Sequence, residues 1–113
     1  MYTITIEMNR IIQLQKFILE DATDVFSRYA LGLEYVKEED FLEAEKCFQY
    51  LIVNHPTYIG TYYQFGKLLQ REGKEDEAKN IFKKGMRLTN LSDTKTYSEL
   101  QNALTNLELG IDE

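Results

Sequence analysis

The chain has 113 residues, 43% hydrophobic and 28% charged, the size and balance of one soluble domain able to bury roughly two thirds of its unfolded surface. Its net charge of −6 and sequence pI near 4.8 oppose a phosphate backbone, and no segment supplies the Lys/Arg footprint that nucleic acid requires. A lone Cys47 excludes an internal disulfide and fits a reducing, cytoplasmic compartment.

Residues 1–8, MYTITIEM, hold no basic segment and no long apolar stretch, and the best apolar run, Ile11 to Leu19, is broken by Gln13, Gln15 and Lys16. Neither secretion nor a membrane span is expected. The opening Tyr-Thr-Ile-Thr-Ile alternates with a strand-like period that a helical remainder cannot pair, so residues 1–8 read as a flexible N-terminal extension, with Met8 a second candidate start. The helical pattern begins at Asn9, and Leu14 and Ile18 form its inward face.

From Asp24 the chain repeats itself. Tyr29, Tyr63 and Tyr97 are 34 residues apart, and Gly32 recurs as Gly66, Ala44 as Ala78 and Phe48 as Phe82. The first full unit, 25–58, opens with a helix over Asp24 to Lys37, N-capped by Asp24, with Phe26, Tyr29, Leu31, Leu33 and Tyr35 on a wide apolar face. Glu38, Glu39 and Asp40 form a charged turn. Asp40 then caps a second helix with Glu43 three residues on, and that helix carries Phe41, Ala44, Phe48, Leu51 and Ile52 and stops before Pro56. The second unit, 59–92, builds its first helix on Tyr62, Tyr63, Phe65, Leu68 and Leu69, turns at Arg71 to Lys74, and presents Ala78, Ile81, Phe82, Met86 and Leu88 to the core. A polar joint, Thr89 to Ser92, stands where the first unit has Pro56. Gly32 and Gly66 lie inside apolar helical patterns, where Gly costs about 1 kcal/mol relative to Ala, so another helix is expected to cross closely at each.

These residues resemble the tetratricopeptide repeat: Leu31-Gly32 with Tyr35, then Ala44, Phe48 and Pro56; and Tyr62 with Phe65-Gly66, then Ala78 and Phe82. The match departs at Arg28, where the family favours Trp, at Leu51 and Gly85, where it favours Ala, and at Asn90, which replaces the joint Pro. The resemblance implies an all-α, right-handed helical-hairpin solenoid of about six helices, a single domain over 9–113. The flanks then read as a half repeat, 9–22, in the phase of a second helix, and a C-terminal capping helix, 93–109, on which Tyr97, Leu100, Leu104 and Leu107 share one stripe.

Catalysis needs converging groups with tuned pKa values, and the inventory is thin. His55 is the only histidine and sits at a helix end beside Pro56, where it meets the C-terminal dipole. Cys47 reads as a half-buried small residue, and the acidic runs Glu38 to Asp40 and Glu75 to Glu77 complement helix N-termini. No metal site, cofactor motif, phosphate loop or nucleophile elbow is present in the sequence, so the chain reads as non-catalytic.

In the tetratricopeptide architecture the first helices line a concave face, so the resemblance implies a peptide-binding groove of Phe26, Tyr29, Leu33, Tyr63, Lys67, Arg71, Tyr97 and Gln101. Spacings of three and four residues put each helix's share on one stripe independently of the resemblance. The tyrosines serve as apolar anchors for a partner protein's peptide or as packing between neighbouring helices. Lys67 and Arg71 greet a carboxylate or are solvated. Family members that hold chaperone C-termini use a clamp of Lys, Asn and Arg; here its places hold Tyr29, Leu33, Gln64, Thr94 and Ser98, so that specificity does not carry over. The expectation is an adaptor for a protein or peptide partner. One alternative is self-association as a homodimer through the leading helix and the aromatic groove, and the other is an enzyme with an unrecognised site.

Overall fold

The computed structural model describes residues 2–89 and 93–111, with side chains from Met8 onward. Among the described residues there are six α-helices and no strand: α1 (Tyr2–Glu20), α2 (Val25–Lys37), α3 (Phe41–Asn54), α4 (Gly60–Arg71), α5 (Glu75–Leu88) and α6 (Thr94–Leu109). They group into two compact units, Met1–His55 and Pro56–Glu113. In the first, α2 packs on both α1 and α3; in the second, α4, α5 and α6 pack on one another.

Local chemistry sets the helix ends. Asp24 accepts from the Ser27 backbone N–H at 2.9 Å and from its hydroxyl at 2.6 Å, satisfying a donor that the start of α2 would leave orphaned. Asp40 accepts from the Glu43 N–H at 3.4 Å, and Asp93 from the Thr96 N–H at 3.1 Å. The Glu43 carboxylate, expected to reach back to Asp40, accepts from Lys46 Nζ at 3.0 Å. At the other ends one closure recurs. Asp40 N–H donates to Tyr35 O at 2.9 Å and Glu39 N–H to Val36 O at 3.0 Å; Lys74 and Gly73 repeat these bonds to Leu69 and Gln70 at 2.9 and 3.0 Å. Ile111 and Gly110 close α6 on Asn106 and Leu107 at 2.8 and 3.2 Å, the same Schellman pattern.

The recurring Gly and Phe residues are partners. A β-carbon on Gly32 would stand 2.6 Å from Phe48 Cε1, and one on Gly66 would meet Phe82 Cε1 closer still, so each first helix lies directly on the ring of its second. Both rings are fully buried. At about 1.5–3 kcal/mol for each large apolar side chain removed from water, such pairs hold a hairpin together. The first unit also buries Ala44, Leu51 and Ile52, and Leu14, Ala30, Leu31 and Cys47 form a core cluster of their own. The second buries Tyr62, Phe65, Leu68, Leu69, Ala78, Leu100, Ala103 and Leu107 around Phe82. Gly85, where Ala is usual in the resembling pattern, has a physical reason: its β-carbon would stand 2.6 Å from Tyr62 Cβ and 3.0 Å from Leu100 Cδ1. Tyr62 is fully buried and anchors its own end by donating its hydroxyl to Pro56 O at 2.6 Å.

Three expectations need correction. The Tyr-Thr-Ile-Thr-Ile segment is helical, because α1 runs from Tyr2 to Glu20 without a break; the extension and the half repeat are one helix. Met1 lies outside the described residues, as do residues 90–92 of the polar joint. Leu88, expected in the core, is 42% exposed at the last residue of α5. Cys47 is buried rather than half-buried, and burial pushes its thiol up to about 11.

Candidate functional site

In the first unit, α2 carries Phe26, Tyr29 and Leu33 on one stripe. Phe26 is 64% exposed and Tyr29 and Leu33 are half-buried, whereas their helix neighbours Ala30 and Leu31 are buried. The Tyr29 ring meets Phe48 with centroids 6.4 Å apart and planes tilted by 54°, and part of it still reaches solvent. Arg28 lies over the Tyr50 ring at 3.7 Å from its centroid, a cation–π contact in which a planar guanidinium takes the place of the aromatic usual at this position.

In the second unit, Tyr63 and Lys67 are half-buried and Arg71 is exposed on α4. Tyr97, 40% exposed, and Gln101, exposed, lie on α6, which packs directly against α4. Leu104, from the same α6 stripe, is buried and belongs to the core. Tyr97 has further neighbours on α5: with Lys83, Met86 and Arg87 it lines a depression of about 310 Å³. A second depression, about 360 Å³, lies at the other end of the unit among Gln70, Glu75, Lys79, Asn106 and Glu108.

One feature is invisible to helical periodicity. Glu34 is buried on α2 and accepts from Arg10 Nε of α1 at 2.9 Å, with Lys37 Nζ 3.5 Å from the same oxygen. Gln15 Nε2 adds a bond across the same pair of helices by donating to Tyr35 Oη at 2.8 Å. On the outside of α1, Met8, Ile12 and Leu19 form an exposed apolar series, Leu19 being 88% exposed. Among the described residues no group of three or more His, Cys, Asp or Glu side chains is arranged to hold a metal ion, and no helix is long and apolar enough to cross a membrane.

Paired helices closed by the same turn and joined by the same Gly-on-Phe contact at a 34-residue interval define a helical-repeat protein. The family model for the tetratricopeptide repeat matches residues 59–90. The crystal structure of a tetratricopeptide repeat domain protein from Salinibacter ruber is 36% identical, with a TM-score of 0.72, over 79% of this chain and 99% of that one. The chain belongs to the tetratricopeptide repeat family. Two more distant structures share the fold: the type III secretion translocator chaperone SycD of Yersinia enterocolitica and protein BPP2914 of Bordetella parapertussis. SycD is 14% identical, with a TM-score of 0.83 over 96% of this chain and 77% of that one. BPP2914 is 24% identical, with a TM-score of 0.76 over 88% of each chain. None of the curated proteins matches this chain.

Proposed function

We propose that the protein is a non-catalytic adaptor that binds a peptide segment of a partner protein on the outward stripes of its first helices. One observation carries this reading: the aromatic residues on those stripes, Phe26, Tyr29, Tyr63 and Tyr97, are exposed or half-buried while their helix neighbours Ala30, Leu31, Tyr62 and Phe65 are buried. Exposed rings with few rotamers and a hydroxyl are inexpensive to order and favourable to cover, which is why Tyr is enriched among interface residues that dominate affinity. In the second unit Tyr63 and Tyr97 supply apolar contact, with Lys67, Arg71 and Gln101 as polar contacts around them; in the first, Phe26 and Leu33 widen the surface beside Tyr29. SycD, of the same fold, is a chaperone of translocators, so a protein partner is in keeping with that neighbour. The single buried thiol of Cys47 suits a reducing cytoplasm.

The test is capture of partners by the parent protein and by Tyr63→Ala. The variant should keep its helical circular dichroism and lose on the order of 1–3 kcal/mol of binding energy. Equal affinity of the two would remove α4 from the binding surface.

A second reading rests on the exposed Met8, Ile12 and Leu19 of α1, an apolar series that a second copy would cover. Sedimentation decides it: a mass that rises with concentration and returns to the monomer in Ile12→Lys supports the homodimer, and a monomer at high concentration excludes it.

A further inference from the structure

From Lys79 onward α5 is a cationic segment in an acidic chain. Lys79, Lys83, Lys84 and Arg87 occur with no Asp or Glu among residues 79–88, although the protein's net charge is −6. Lys83 and Arg87, one turn apart, rim the depression of about 310 Å³ whose other lining residues are Met86 and Tyr97. Neither cation forms an ion pair among the described residues. The helix dipole accounts for Arg87, which stands in the last turn of α5, but its field falls off within that turn. It leaves Lys83 without a reason.

We infer that this depression recognises an extended acidic segment of a partner protein, with two carboxylates on Lys83 and Arg87 and an apolar side chain on Met86 and Tyr97. The spacing supports it. Four residues along a helix advance about 6 Å, and alternate side chains of an extended peptide stand about 6.6 Å apart on one side, so carboxylates at positions i and i+2 meet the two cations in register. The apolar side chain of the same segment lies against Met86 and Tyr97, which line the depression with the two cations. Arg87 can take its carboxylate through two parallel N–H bonds, while Lys83 acts as a point charge. Met86 adapts to the shape of the apolar residue and Tyr97 gives it a flat partner. The inference rests on the peptide-binding reading through Tyr97, and differs from it in drawing charge from the second helix of the repeat.

A fluorescein-labelled acetyl-Glu-Ser-Glu-Ser-Leu amide is the probe, followed by anisotropy and by amide chemical shifts of the whole protein. Shifts are expected at Lys83, Met86, Arg87 and Tyr97, with binding that weakens as salt rises. Replacing both Glu of the probe by Gln, or using Lys83→Gln/Arg87→Gln, should each weaken binding at least about 10-fold, the scale of one charge-assisted hydrogen bond. Both side chains are exposed, so the variant should unfold like the parent. Absence of shifts at these amides with millimolar probe overturns the assignment, as does unchanged affinity of the double variant. Tyr63→Ala separates the two proposals: it should leave the probe bound. Loss of the probe in Tyr63→Ala with retention in the double variant would overturn this site and leave the first-helix surface standing.

Discussion

Gly32 lies so closely against the ring of Phe48 that a β-carbon would stand 2.6 Å from Cε1 and 3.0 Å from Cζ. Phe48 is fully buried, so the ring has nowhere to retreat. Gly32→Ala gains about 1 kcal/mol of helix propensity but forces a packed interior apart, at about 2–3 kcal/mol, the upper part of the overpacking range because the ring cannot retreat. A net loss of about 1–2 kcal/mol is expected in urea denaturation, and much less when the same change is made in a Phe48→Leu background. A parent-like midpoint in the single variant would show that the two helices separate freely.

The turn after α2 closes as the turn after α4 does, yet Glu39 holds the left-handed position, at φ 58°, that Gly73 holds at φ 77° in the second unit. A side chain at such a position costs about 1–2 kcal/mol, of which roughly half is offset because Gly frees the unfolded chain. Glu39→Gly should therefore stabilise by about 0.5–1 kcal/mol, and Gly73→Ala should destabilise by about 1 kcal/mol. Thermal unfolding of the two variants should move in opposite directions. Movement in the same direction would contradict the shared geometry.

Glu34 brings a carboxylate into the α1–α2 seam, where it has 7% side-chain exposure, while its partner Arg10 is half in solvent at 51%. Exposure of the cation screens the pair, and burial of the acid makes its loss of a partner costly. Arg10→Ala should destabilise by about 1 kcal/mol, with Lys37 at 3.5 Å retaining part of the interaction. In a double-mutant cycle with Glu34→Gln the coupling should exceed a few tenths of a kcal/mol and shrink in high salt. Additive effects would mean that the two groups do not meet in solution.

The hairpins are legible in the sequence because each recurring residue meets a single steric need. Gly permits close approach, Phe fills the space opened, and Asp caps the helices of the first unit. Glu34 is not legible, since its partner lies 24 residues back on another helix and nothing local marks a charged residue as buried. The N-terminal alternation misleads because a five-residue run of Tyr, Thr and Ile has a strand preference that the continuing helix overrides. The stripes of Phe26 with Tyr29 and of Tyr97 with Gln101 follow from spacing alone, whereas which side of each helix faces out does not. Leu104, on the α6 stripe with Leu100 and Leu107, lies in the core as they do. Lys83 and Arg87 look like ordinary solvated positions on a helix surface, although the absence of any acid from residues 79–88 is a readable sign.

Cys47 links packing to pH. Its thiol packs in the core with Leu14, Ala30 and Leu31, and burial raises its pKa from 9.0 to about 11, Arg28 opposing the shift and Glu43 adding to it. Because the folded value lies above the unfolded one, the folded state binds more protons between the two, and stability falls as pH rises through that window. The contribution is intact below about pH 9 and is lost towards pH 11, with a loss of about 1 kcal/mol expected by pH 10. Tyr35 and Tyr62, whose hydroxyls burial also raises, act in the same direction at higher pH. Urea denaturation at pH 8 and pH 10 should therefore show a larger drop for the parent than for Cys47→Ala, even though the variant starts lower because of the cavity it creates. In the same range the folded thiol should resist alkylation at pH 8 until denaturant is added. Equal pH slopes for parent and variant, or rapid labelling of the folded protein, would mean that Cys47 reaches water.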